Sequence, residues 1–304
     1  MEKVNKIAII IVTYNGEKWL EECIKPLYGY DNITIVVIDN ASSDNTVELI
    51  KKEYENVELI ESKINLGFGQ ANNKGFDYAI ANNYDFVFLL NQDASIDIKN
   101  LNQLIEKVIN NPTIGIISPV HYKNEEEIEN LFKYYIKENK LQDFVGSNKI
   151  HSVDFVNAAL WLIPINVLKK IGGFNPLFFH YGEDVDYINR IKYNNFQVII
   201  DFNSEAYHYR EYSKENFQSK FTRKTYFGPW AIKYFTILSN VNYSFFNVFF
   251  KSFYLFGASF YRYLKKLDFQ LCITCIKVYF RVLLKLNYIK KNRKIIIKNS
   301  SPFL

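Results

Sequence analysis

Short apolar runs and longer amphipathic stretches alternate through the first 120 residues of the chain. Ile7–Val12, Ile33–Ile38, Val57–Ile60, Phe86–Leu90 and Ile114–Ile117 are brief and rich in β-branched or aromatic side chains. Runs that are apolar at every position predict strands buried on both faces of a sheet. Between them, apolar residues recur at helical spacing near 17–29, 45–54, 69–82 and 98–110. Asp44-Asn45 before Thr46 and Glu48 provides a helix start, and Asn111-Pro112 a stop. This alternation predicts βαβ units, right-handed crossovers and a parallel sheet covered on both sides. Residues 121–150, with Asn124-Glu125-Glu126-Glu127, read as a solvated helix or loop of no chemical interest. Residues 153–202 return to mixed strand and helix, and beyond about 220 the pattern is helical, aromatic and basic.

Charge sharpens that last division. The 304 residues are 48% hydrophobic and 23% charged, the profile of a soluble globular protein with a net charge of +5. From Lys220 onward there are 16 Lys and Arg against one acid, Asp268, a net +15. The preceding residues hold the other 21 basic and 31 acidic side chains, a net −10. Of 52 aromatics, 22 fall in the last 85 residues. Three cysteines, an odd number, exclude a disulfide framework and favour a reducing compartment. The first apolar run ends at the turn-like Thr13-Tyr14-Asn15-Gly16, too soon for a secretory signal. Tyr234–Phe250 lacks charge but is interrupted by Asn240, Asn242 and Asn247, so no spanning helix is expected. A cytoplasmic protein follows from both.

In open α/β sheets ligands bind beyond the carboxyl ends of the strands. Three such ends are polar: Thr13-Tyr14-Asn15-Gly16, Asp39-Asn40-Ala41-Ser42-Ser43-Asp44 and Asn91-Gln92-Asp93. Each alone reads as a turn. Together they offer carboxylates that could accept from a nucleobase or sugar, or bind a hard cation. Gly67-Phe68-Gly69 follows the third strand, with Asn72 where a dinucleotide fingerprint wants glycine, so NAD binding is not indicated. A close approach of backbone to ligand remains a use for these glycines. A second polar concentration is Gly172-Gly173-Phe174, then Gly182-Glu183-Asp184-Val185-Asp186 with Arg190. Three carboxylates in four positions repel unless a proton, a cation or Arg190 relieves them. They either cap a helix or place a general base at its mouth.

These motifs, in this order, resemble the inverting nucleotide-sugar glycosyltransferases of family 2. The likeness rests on Ile10-Ile11-Val12-Thr13-Tyr14-Asn15, Val37-Ile38-Asp39-Asn40-Ala41-Ser42-Ser43-Asp44, Asn65-Leu66-Gly67-Phe68-Gly69 with Asn72 and Gly75, and Leu89-Leu90-Asn91-Gln92-Asp93. It continues through Gly172-Gly173-Phe174 to Glu183-Asp184-Val185-Asp186 and Arg190, covering roughly residues 5–215. It implies an α/β, Rossmann-like GT-A fold: a mixed, mainly parallel sheet flanked by helices, with a C-terminal helical extension. The catalytic domain would span 1–219, its donor half about 1–120 and its acceptor half about 150–215, leaving 220–304 as the extension. Asn91-Gln92-Asp93 looks most like rhamnosyltransferase-type members acting on bacterial surface polysaccharides.

The resemblance implies transfer from a nucleoside-diphosphate donor, dTDP-rhamnose or a UDP-sugar, to a hydroxyl of a lipid-linked or polysaccharide acceptor. Thr13, Tyr14, Asn15, Asp39 and Asn40 match the nucleotide pocket, with Asp39 accepting from a base N–H. Asn65, Gly67 and Asn72 would border the nucleoside and sugar, and Asn91, Gln92 and Asp93 would belong to the donor site. Asp93 matches the last carboxylate of the family's metal motif, whose first is replaced by Asn91. Mg²⁺ or Mn²⁺ is expected at Asp93 and His208, although His208 between two tyrosines also suits a packed strand. Asp184 matches the catalytic base and Glu183 its neighbour; Asp186, Arg190 and Trp161 are expected on the acceptor side. A rival nucleotidylyltransferase would want a Gly-rich phosphate loop with a basic residue after strand one, which Thr13–Glu17 does not offer. A non-catalytic membrane-associated scaffold of the same fold is the other alternative.

Lys277, Arg281 and Lys285 recur every four residues on one helical face, amid Ile276, Val278, Tyr279 and Phe280. Basic residues beside an aromatic surface fit an interfacial helix on an anionic leaflet. The same helices could instead pack on the catalytic domain or a second copy. No nucleic-acid recognition module is present, and Cys272-x-x-Cys275 reads as a buried thiol pair. Tyr226-Phe227-Gly228-Pro229-Trp230 stands where relatives often carry Arg-Asn after Tyr-Tyr.

Overall fold

The computed structural model describes residues 4–136, 150–209, 227–298 and 302–304. Every apolar run of the first 120 residues forms a strand. These are β1 (Ile7–Thr13), β2 (Ile33–Asp39), β3 (Glu58–Glu61), β4 (Phe86–Asn91), and, after the two-residue β5 (Ala94–Ser95), β6 (Ile114–Tyr122). Three further strands follow: β7 (Ile150–Ser152), β8 (Leu160–Pro164) and β9 (Gln197–His208). Among the described residues they make one nine-stranded sheet ordered β3-β2-β1-β4-β8-β6-β9-β5, with β7 on β9. The β3-β2-β1-β4 half is wholly parallel, and β8 then enters antiparallel to both β4 and β6.

The helices of this half are α1 (Leu20–Ile24), α2 (Thr46–Glu53), α3 (Phe68–Ala81) and α4 (Ile98–Asn110). The last three match the expected stretches to within a residue or so. The stretch 17–29 does not form one helix: α1 is flanked by 3₁₀ turns at Glu17–Trp19 and Lys25–Leu27. Pro26 lacks the N–H that would continue the α ladder. Strand alternation splits the core. Ala8 and Ile10 join Phe76, Trp161, Phe174 and Tyr187 on one face, while Ile7, Ile9 and Ile11 join Ile24 and Leu104 on the other. Burial on both faces is what the unbroken apolar runs required.

The stretch 121–150 departs from expectation. It contributes the end of β6, a return through the Tyr122–Ile128 bridge, and the short α5 (Asn130–Tyr135), with Glu129 and Phe132 buried. Beyond it, α6 (Ile165–Ile171) and α7 (Glu183–Tyr193) cover the sheet. The boundary expected near residue 220 lies outside the described residues. After it come α8 (Phe227–Ser239), α9 (Phe245–Lys265), α10 (Phe269–Leu284) and α11 (Leu286–Ile297), with a core of their own around Tyr234, Leu238, Val278, Tyr279 and Val282. Buried Arg293 ties the turn after α8 by donating to the carbonyls of Leu238 (3.1 Å), Asn240 and Tyr243 (2.6 Å). Among the described residues, no helix is long and apolar enough to cross a membrane.

Candidate active site

Parallel register delivers the polar strand ends to one edge. Thr13 pairs with Asp39 across β1–β2, and Val12 with Asn91 across β1–β4. Asp39 is buried, and a buried carboxylate must find donors. Thr13 Oγ1 (3.1 Å), Ser42 Oγ (2.5 Å) and the Ser42 amide (3.0 Å) donate to it. Thr13 is itself fully buried, so it holds Asp39 and does not line the edge. The Asn15 side-chain oxygen accepts from the Ser43 amide at 2.8 Å. Asn40 accepts from the Leu66 amide (2.7 Å) and donates to Asn65 (3.0 Å), which in turn accepts from the Gly67 amide (2.9 Å). Gln92 clasps the Tyr14 backbone, accepting from its N–H at 2.8 Å and donating to its carbonyl at 3.3 Å. The loops after β1, β2, β3 and β4 are thereby stitched together, and the Tyr14 ring is left exposed beside them.

Two expectations at this edge are corrected. Asn72 is buried and donates at 2.9 Å to the Phe68 carbonyl one turn back, so its amide is engaged within its own helix. Gly67, at φ +77, does permit a close backbone approach, since an added Cβ would stand 2.0 Å from the Phe179 carbonyl oxygen. The group it admits is the protein's own loop, not a ligand.

That loop leads into α7, which starts after Gly182 at φ +90. A Cβ at Gly69 would lie 3.6 Å from the Glu183 Cβ, so the starts of α3 and α7 abut. Glu183 is buried and its Oε2 makes no hydrogen bond. Burial, reinforced by the charge of Asp184, pushes its carboxyl up to about 7. Asp184 is half-buried and accepts from the Val185 amide at 2.8 Å. The two acids therefore differ: Glu183 tends to keep its proton, and Asp184 is the more accessible carboxylate. Between pH 4.5 and about 7 the folded chain holds a Glu183 proton that the unfolded chain has released. The contribution of Glu183 to stability must then fall as pH rises through that window. Glu183→Gln should gain up to about 3 kcal/mol on wild type between acid and mildly alkaline pH. Urea melts across that range check it, and a pH-independent difference would refute the shift.

The acceptor-side expectations for Asp186, Arg190 and Trp161 are also corrected. Arg190 Nε donates to Asp186 at 3.0 Å, and its other nitrogens donate to the carbonyls of Ile171 (2.7 Å) and Gly173 (2.8 Å). Both side chains are about 1% exposed. They form an internal knot that holds the Gly172-Gly173 turn against α7. Trp161 is fully buried in β8, stacked on Phe174 with ring centroids 6.3 Å apart. Large aromatics do stand open beside the acid pair. Phe179 and Tyr181 are each 60% exposed, and Tyr181 sits at a left-handed φ of +67. Their only sequence signal was their place just before Glu183-Asp184.

The third pole lies at the end of β9. His208 pairs with Ala94 of β5, which brings its Nε2 to 3.5 Å from Asp93 Oδ1. Its Nδ1 lies 3.2 Å from Glu129 Oε2, and His121 Nδ1 lies 3.6 Å from the same oxygen. His121 Nε2 completes the row at 2.9 Å from Ser118 Oγ. Burial alone would raise the Glu129 carboxyl, but the two imidazoles outweigh it and hold it well below the usual range. Burial likewise opposes protonation of His208, and Asp93 and Glu129 overcome it and raise the imidazole. His208 Nε2 is buried, and the carboxylate it faces at 3.5 Å, Asp93, is 27% exposed. An imidazole nitrogen and a carboxylate oxygen so placed fit a divalent cation. The amide of Asn91 leaves that position one negative charge poorer. His121 and Glu129 escaped the sequence reading, because each is a single polar residue in a segment taken as solvent-facing.

A mixed sheet, a polar edge at the ends of its parallel strands and an acid pair at a helix mouth define a glycosyltransferase of the A fold. The chain belongs to glycosyl transferase family 2, whose profile matches residues 8–165. It is 24% identical over 227 residues to the low-salt glycan biosynthesis hexosyltransferase Agl10 of Haloferax volcanii, covering 72% of each chain. It is 29% identical over 122 residues to a poly-β-1,6-N-acetyl-D-glucosamine synthase of Staphylococcus aureus, 39% of this chain and 29% of that enzyme. Among solved structures, S. aureus TarS in complex with UDP superposes with a TM-score of 0.54 at 17% identity, covering 80% of this chain and 68% of TarS. GalNAc-T7 with UDP, GalNAc and Mn²⁺ superposes at 0.59 and 15% identity, covering 79% of this chain and 51% of that one.

Proposed function

We propose that this glycosyltransferase moves a sugar from a nucleoside-diphosphate donor, dTDP-rhamnose or a UDP-sugar, to a hydroxyl of a lipid-linked or polysaccharide acceptor, with inversion. The supporting observation is the abutment of α3 and α7, which sets Glu183 against the start of α3, the helix that follows the loop bound by Asn40. UDP in TarS, and UDP with Mn²⁺ in GalNAc-T7, favour the same donor class. Asp39 has four lone-pair positions and three internal donors, leaving one for a base N–H. Tyr14 offers its open ring to the base. Asp93 and His208 would hold Mg²⁺ or Mn²⁺, which when bound supplies positive charge to a departing diphosphate. Asp184 takes the acceptor hydroxyl proton as that oxygen bonds to the anomeric carbon. The carbon–oxygen bond to phosphate breaks with its electron pair leaving on the diphosphate, and a single displacement inverts the centre. Glu183, holding its proton, adds no second negative charge beside the base. Phe179 and Tyr181 present apolar faces suited to an acceptor sugar ring.

Incubating the chain with a nucleotide-sugar panel, with and without Mn²⁺, tests this directly. Metal-stimulated release of nucleoside diphosphate and an inverted product anomer by NMR are expected. Neither turnover nor binding across the panel would favour a non-catalytic scaffold.

The segment 220–304 is read as the contact with an anionic membrane. Phe246, Phe250, Phe253, Tyr254 and Tyr261 of α9 are 55–77% exposed, and Phe269, Ile273, Ile276, Phe280 and Leu284 of α10 are 50–68% exposed. Helices apolar on every side are normally buried. Lys251, Arg262, Lys265, Lys277 and Arg281 are exposed among these rings. Such charge would repel a second copy presenting the same face and attract lipid phosphates.

A further inference from the structure

We propose that Glu129, braced by His121, is a positioning residue that fixes which nitrogen of His208 is offered to a divalent cation beside Asp93. The proposal rests on the reading of Asp93 and His208 as cation ligands and adds two residues that touch neither donor nor cation.

The placement follows from strand register. His121 of β6 pairs with Ala206 of β9, so His208, two residues on, projects from the same face. The two rings stand edge to face with centroids 6.0 Å apart. Glu129 is returned to them by the tight connection after β6, where its amide donates to the His121 carbonyl at 2.9 Å. Its carboxylate thus reaches both imidazoles, and all three side chains are at most 1% exposed. An ionised carboxylate buried so completely costs several kcal/mol unless it is paired. Hydrophobic packing of the sheet does not need one there.

The chemistry of the pair gives it a use. A carboxylate only accepts hydrogen bonds, so Glu129 Oε2, 3.2 Å from Nδ1, holds the neutral-ring proton on that nitrogen. The lone pair is then on Nε2, the atom 3.5 Å from Asp93 Oδ1. The opposite tautomer would point an N–H at Asp93 and leave no lone pair for a cation. Metal-binding histidines commonly donate their other N–H to a carboxylate in this way, and loss of that partner weakens metal affinity about 10–100-fold. His121, lying between Ser118 Oγ and Glu129 Oε2, holds the carboxylate from its second side.

Glu129→Gln keeps the shape but can donate to Nδ1 through its amide, which would drive the proton to Nε2. Mn²⁺ titration of the whole chain, followed by electron paramagnetic resonance, should show binding about 10–100-fold weaker than wild type. Nitrogen-15 NMR of His208 at alkaline pH, assigned by its loss in His208→Gln, should report an Nδ1–H tautomer in wild type and Nε2–H in the variant. Should Glu129→Gln fail to fold, the wild-type tautomer still decides, and a proton on Nε2 overturns the proposal. Unchanged Mn²⁺ affinity in folded Glu129→Gln also overturns it. Full affinity in Asp93→Asn with loss in His121→Gln would put the ion inside the buried triad and overturn it as well. A wild type that binds no Mn²⁺ sinks the cation reading and this proposal together, whereas binding that ignores Glu129 sinks the positioning role alone.

Discussion

Asp184→Asn should lower sugar transfer about 10²–10⁴-fold, the usual contribution of a general base. Donor affinity should stay within about threefold of wild type, because only the proton-transfer interaction is removed. The substitution is close to isosteric, and the asparagine oxygen can still accept from the Val185 amide. Glu183 cannot stand in for it, being buried against α3 and tending to keep its proton. Steady-state kinetics with the best donor of the panel, alongside a thermal shift with the nucleoside diphosphate, separate the two effects. A variant with wild-type kcat would remove Asp184 from the role of base; one that lost nucleotide binding would make it a donor-site residue.

Replacing Lys251, Arg262, Lys265, Lys277 and Arg281 with glutamate should reduce binding to phosphatidylserine vesicles by at least 10²-fold. Each cation near an anionic leaflet is worth about 1 kcal/mol, so five together could account for about 5 kcal/mol. All five are exposed, so the four-helix extension should keep its fold, and circular dichroism checks that. Flotation with phosphatidylserine and with neutral phosphatidylcholine vesicles distinguishes charge from apolar adhesion. Unchanged binding would show that the basic residues are only a solvated surface. A wild type that ignores vesicles but sediments as a dimer would assign the aromatic stripe to a second copy.

How legible these features were depends on the range of the interaction behind each. The Asp39 loop was readable because Asp39, Ser42 and the following helix start are near in sequence, and the carboxylate ends an unbroken apolar run. The acid pair was readable too, as a cluster that needed an explanation. Trp161, Asp186 and Arg190 were misplaced because a short motif does not say which of its side chains turn inward. Arg190 finds the Ile171 and Gly173 carbonyls, and these contacts depend on how α6 and α7 pack. Gly67 showed that a glycine was needed without showing that the approaching atom would be the Phe179 carbonyl.

By itself, the sequence determined the order of strands and helices over the first 120 residues, the polar edge of the parallel half and the aromatic, basic character of the extension. Each is written in local periodicity or composition, since a period of two or 3.6 and a stop such as Asn111-Pro112 act between near neighbours. Only the tertiary structure decided that β8 would enter antiparallel between β4 and β6 and that Glu129 would lie between two histidines. Glu129 and His208 are 79 residues apart, and nothing local to either encodes the other. Their meeting is set by the β6–β9 register, where a slip of one residue would turn His121 to the opposite face.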